Sequence, residues 1–83
     1  MSQYLIMCRS LTYAQRASRL LERAGITAVI IKAPQQLTGS GCGYAVSIRR
    51  NLETAVNILR GANAPFGKLY EKDADGEYTQ VTV

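Results

Sequence analysis

Eighty-three residues, 47% of them hydrophobic, leave room for a single domain over residues 1–83 and exclude a multi-domain enzyme with its own cofactor-binding half. Histidine is absent, which removes the usual general base at neutral pH, the usual metal ligand and every Ser-His or Cys-His nucleophilic pairing. A net charge of +4 suits anionic partners, but a charge of this size also simply keeps a small domain soluble, so charge selects no function.

Gln3 to Cys8 is a short apolar run bounded by Arg9-Ser10, the length and punctuation of a buried strand. It is far shorter than a signal-peptide core or a membrane span, so a cytoplasmic protein without a membrane partner is expected. From Leu11 to Ala24, the residues Ala14, Ala17, Leu20, Leu21 and Ala24 recur at three- and four-residue steps, as one face of a helix requires. Ser10 or Thr12 can cap its start, Thr12 with Gln15 as a capping box, and Gly25 stands where a left-handed C-terminal cap is wanted. Ile26 to Lys32 is rich in β-branched residues and stops before Ala33-Pro34, giving a second strand.

Pro34 to Gly43 has no periodicity and reads as a loop. Tyr44 to Arg49 then alternates Tyr44, Val46 and Ile48 with Ala45, Ser47 and Arg49, predicting a third strand with the first set under the helices and the second exposed. Asn51 is a good N-cap for a second helix carrying Leu52, Ala55, Val56 and Leu59, which Gly61 can close. Gly67 to Lys72 and Glu77 to Val83 flank the turn sequence Asp73-Ala74-Asp75-Gly76, as in a hairpin. The fold class is therefore α+β, a ferredoxin-like βαββαβ sandwich with two helices on one face of an antiparallel sheet and room for an extra C-terminal strand.

The chemistry-bearing segment is the loop Thr38-Gly39-Ser40-Gly41-Cys42-Gly43. It puts the Cys42 thiol between two glycines, with no neighbouring side chain to screen the sulfur, and successive amides of a Gly-rich turn can favour the thiolate. Ser40, Gly41 and Gly43 are its supporting residues. A nucleotide P-loop is set aside, because the segment precedes a strand and lacks a Gly-Lys-Ser/Thr ending. Pairing of the first and third strands brings Cys8 towards Cys42 as a second thiol, although its parity with Tyr4 and Ile6 marks an ordinary core residue. One disulfide or two free thiols both remain open. Two cysteines without histidine cannot complete a four-ligand zinc site, so neither a metal nor a resident cofactor is expected.

Over roughly its first seventy residues the chain resembles the selenium/sulfur carrier protein-like family. The resemblance rests on Tyr4-Leu5-Ile6, on Ala14 and Ala17 leading to Leu20-Leu21-Glu22-Arg23-Ala24-Gly25-Ile26, and on Ser40-Gly41-Cys42-Gly43-Tyr44-Ala45-Val46, which matches a Ser-x-Cys-Gly-hydrophobic-Ala-hydrophobic signature. It departs from that pattern at Gly41, at Cys8, where a larger apolar residue is common, and in a longer acidic and polar tail after Tyr70. The resemblance implies that Cys42 holds sulfur or selenium as a persulfide or selenosulfide. It implies partners as well, a donor such as a cysteine desulfurase and an acceptor protein, and no catalytic turnover by the carrier alone. Arg16, Arg19 and Arg23 share one helical side at i, i+3 and i+7, either as a solvated face or as a dock for an acidic partner or an anionic ligand.

Two other classes compete with a carrier. The βαββαβ order is also that of RRM-type RNA-binding domains, yet Cys42 and Val46 replace a basic and an aromatic residue of their third-strand motif, leaving Tyr44 and Tyr4 as the stacking platform. Nucleic acid is therefore disfavoured. A regulatory or assembly module is the other, since Leu5 and Met7 fall on the sheet face away from the helices, where either a second copy in a homodimer or the chain's own hairpin or loop would cover them.

Overall fold

The computed structural model describes residues 3–34, 37 and 43–82. In chain order its elements are β1 (Gln3–Cys8), α1 (Leu11–Arg23), β2 (Val29–Lys32), β3 (Tyr44–Ile48), α2 (Leu52–Gly61), β4 (Leu69–Lys72) and β5 (Tyr78–Val81). The strands form one sheet in the order β2-β3-β1-β4-β5, and every neighbouring pair is antiparallel. This is the ferredoxin-like arrangement, with β5 added beyond β4 as the extra C-terminal strand.

Both helices end in the same way, for the same reason. After α1, the Gly25 amide donates to the Glu22 carbonyl and the Ile26 amide to the Leu21 carbonyl, at 3.0 and 2.9 Å. This pair of bonds is a Schellman motif, which needs a left-handed residue, and Gly25 supplies it with φ of 84°. The motif also explains why β2 begins at Val29 instead of Ile26: Ile26 closes the helix end, and its side chain is buried in the helix-side core. After α2 the bonds run from Asn63 to Arg60 and from Ala64 to Leu59, so the left-handed position is Asn63, with φ of 56°, and Gly61 remains inside the helix.

At the helix starts, Ser10 is the cap of α1, its side chain accepting from the Tyr13 amide, while Thr12 lies within the first turn. Asn51 precedes α2 in a left-handed conformation, with φ of 64°, and makes no side-chain cap bond; its carbonyl accepts from the Ala55 amide instead. The hairpin between β4 and β5 turns on Asp73, whose Oδ1 accepts from the amides of Asp75 and Glu77 at 2.9 and 3.0 Å, and on Gly76 with φ of 83°.

The core lies between sheet and helices. Ile6, Val46 and Ile48 from the central strands meet Leu21 from α1 and Val56 and Leu59 from α2, while Tyr4 and Tyr44 pack against this cluster from the same side. Arg16 Nη2 joins the helices by donating to the Ala62 carbonyl at 3.2 Å.

The opposite face of β3 differs from expectation. Ala45 and Ser47 are buried, at 0 and 7% exposure. Both residues are small and lie on a central strand between bulkier neighbours: Ala45 is flanked by Met7 and Ile31, Ser47 by Leu5 and Val29. Gln3 Nε2 also donates to the Ser47 hydroxyl. Leu5, between Ser47 and Tyr70, is only 1% exposed, and Met7 is half-buried. Leu5 is thus withdrawn from water within the chain itself.

Candidate functional site

β1 carries Cys8 at its C-terminal end, on the side of the sheet that faces the helices. Its side chain is 6% exposed and its thiol is free; Sγ donates to the Ile6 carbonyl at 3.7 Å. Burial penalises the charged thiolate and pushes the Cys8 pKa from 9.0 up to about 11. At neutral pH this sulfur is a protonated, sequestered core atom, unsuited to nucleophilic attack.

Cys8 pairs across the sheet with Tyr44, and Tyr44 pairs on its other side with Lys32. The ladder continues one step further, where the Ala33 amide donates to the Gly43 carbonyl at 3.2 Å. Gly43 has φ of 123°, a region that L side chains rarely adopt, so the residue joining the loop to β3 has to be glycine. Of the predicted loop residues, Gly43 is therefore placed by the fold, and Ser40, Gly41 and Cys42 lie outside the described residues.

A small pocket of about 230 Å³ lies at the same end of the sheet, between Arg9, Tyr13, Pro65, Phe66 and Gly67. The backbone places it there: the Gly67 amide donates to the Met7 carbonyl at 2.7 Å, and Met7 donates in turn to Lys68, laying the segment before β4 along the end of β1. Arg9 is exposed at its rim. The sequence reading used Arg9 only as a strand boundary, and the pocket depends on Phe66 being folded back from far along the chain.

Arg16, Arg19 and Arg23 are all exposed, on one side of α1. Their row covers about 10 Å of helix axis and leads away from the Cys8 end of the sheet. Arg16 already bonds the end of α2. Among the described residues, no group of three or more Cys, Asp or Glu side chains is arranged to hold a metal ion, and no helix is long and apolar enough to cross a membrane.

Fold and site together define a small α+β domain with one thiol buried in its core and a second cysteine that precedes, in the sequence, the positive-φ glycine immediately before β3. Residues 3–71 match the model of the Se/S carrier protein-like family, and the chain belongs to that family. Searches of curated proteins and of solved structures return no match.

Proposed function

We propose that the protein is a carrier that holds sulfur or selenium on Cys42 and passes it from a donor enzyme to an acceptor. The observation that carries this reading is the state of Cys8. The chain has two cysteines, and with Cys8 buried, protonated and raised to about 11, carrier chemistry falls to Cys42. The family match supports it, since the matched residues 3–71 include the Ser40-Gly41-Cys42-Gly43 segment.

The step is an exchange without net oxidation. The Cys42 thiolate attacks the outer sulfur of a donor persulfide, such as that of a cysteine desulfurase; a new sulfur–sulfur bond forms on Cys42, the donor's sulfur–sulfur bond breaks, and the donor thiolate leaves. A donor selenosulfide reacts in the same way at selenium. Transfer to the acceptor repeats the exchange, with the acceptor thiolate attacking. With no histidine in the chain, protons come from solvent or from the partner. The amides of the glycines that flank Cys42 in the sequence would favour the anionic persulfide. A protein working in this way has no turnover alone, and the Arg19 and Arg23 side of α1 is the surface we assign to an acidic partner.

Intact-mass measurement of the protein purified without reductant tests the reading. One added sulfur or selenium per chain, removed by a thiol reductant, is the expected result. A chain that stays unmodified after exposure to several persulfide donors would favour a binding module instead.

A further inference from the structure

At the end of the sheet opposite Cys8 and Tyr44, the loop after α1, the start of β2 and the end of β3 enclose a cleft of about 720 Å³. This volume falls within the range of small-molecule sites. Val29 and Ile31 form an apolar wall, and Val29 keeps 55% of its surface exposed, unusual for a strand valine in a small domain. Arg49 and Arg50, both exposed, also line it, and among the described residues no carboxylate does. Ser47 also lines it; 7% exposed, its hydroxyl accepts from Gln3 and so keeps its own proton for a further acceptor.

Two guanidinium groups, a buried hydroxyl donor and an apolar wall without a countercharge describe one kind of ligand. We propose that this cleft binds a small organic oxyanion, a carboxylate or phosphate on a short apolar body. Arg49 and Arg50 hold the charged head through charge-assisted hydrogen bonds, Ser47 donates to it, and Val29 and Ile31 cover the body. Arg49 lies six residues along the chain from Gly43, about 20 Å at strand spacing, so the charged head group is held at the end of β3 away from Gly43. The cleft is a second site on the strand that leads from the carrier loop, and it stands or falls independently of the carrier reading.

The test is an NMR titration of the full-length labelled protein with inorganic phosphate, phenyl phosphate and isocaproate. Saturable shifts are expected at the amides of Thr27, Ser47 and Arg49, with one of the two organic anions binding about tenfold more tightly than inorganic phosphate. Whichever of phenyl phosphate and isocaproate binds more tightly identifies the head group as phosphate or carboxylate. Arg49→Ala and Arg50→Ala should each weaken binding about tenfold. Val29→Ser should weaken the organic anions alone, and Cys42→Ser should change nothing. The arginines are exposed, so their variants keep the fold, which the unliganded spectrum checks. The proposal is overturned if neither organic anion gives a saturable shift, if the shifts spread equally to Arg16, Arg19 and Arg23, or if both arginine variants bind undiminished.

Discussion

Cys8 and Tyr44 are direct partners across the β1–β3 ladder, and both side chains face the helix-side core. Two consequences follow from this pairing. The third strand turns its aromatic residue inward, so the stacking platform that an RRM-type reading would take from Tyr4 and Tyr44 is packed beneath the helices. The two cysteines also part company: Cys8 belongs to the core, whereas Cys42, which precedes Gly43 in the sequence, lies outside the described residues.

Alkylation kinetics should separate the thiols. In the folded protein Cys42 should be labelled rapidly and Cys8 only on unfolding, because its sulfur is buried and protonated at neutral pH. Timed labelling with peptide mapping checks this, with Cys8→Ser and Cys42→Ser as controls. Faster labelling of Cys8 would remove the basis for assigning the chemistry to Cys42.

The Cys8 thiol also makes stability depend on pH in the alkaline range. Its folded pKa is about 11 against 9.0, so the folded state holds the proton more tightly than the unfolded state does. The stabilisation is complete below the lower value and is lost as pH rises towards the upper one. Two units correspond to at most about 2–3 kcal/mol. Denaturant unfolding of wild type and Cys8→Ala at a series of pH values should show the extra alkaline loss in wild type alone. Parallel curves would contradict it.

Much of the architecture can be read from the amino-acid pattern, and the departures have definite causes. The bounds of β1 coincide with the apolar run before Arg9-Ser10, and Gly25 has the left-handed role that its position after Ala24 suggests. The start of β2 was not legible, because the β-branched Ile26 satisfies a strand pattern and a helix-closing contact equally well. The pattern points to Gly61 as the closing residue because glycine is the usual left-handed residue, whereas the helix runs on through Gly61, Ala62 caps it and Asn63 takes the left-handed position. Parity put Ala45 and Ser47 on the correct face but could not reveal their burial, which depends on side chains from two other strands. The Cys42 motif is visible as a Gly-flanked thiol, and the parity of Cys8 with Tyr4 and Ile6 already marks it as a core residue; the cleft beside Arg49 arises only when distant segments meet.

The helix closures predict opposite responses to small substitutions. Gly25→Ala should destabilise by about 1 kcal/mol, from backbone strain alone, since a Cβ there meets nothing within 4 Å. Asn63→Gly should stabilise by a few tenths of a kcal/mol, up to about 1 kcal/mol, because glycine adopts the left-handed conformation more readily than asparagine. Thermal and chemical unfolding measure both. A stabilising Gly25→Ala would mean that α1 ends differently.

Leu5 tests how fully the far side of the sheet is covered. At 1% exposure it should behave as a core residue, so Leu5→Ala should cost about 2–4 kcal/mol, comparable to Leu21→Ala beneath the helices. A cost below about 1 kcal/mol in denaturant unfolding would show that Leu5 lies on a bare face.

Loading from a defined donor tests the carrier account most directly. The wild type, Cys8→Ser and Cys42→Ser proteins are each incubated with a cysteine desulfurase and cysteine, and the added mass is located by peptide mapping. Wild type and Cys8→Ser should each gain one reductant-labile sulfur on the peptide containing Cys42, and Cys42→Ser should gain none. Equal loading of the two variants, or loading that maps to Cys8, would contradict the assignment of carrier chemistry to Cys42.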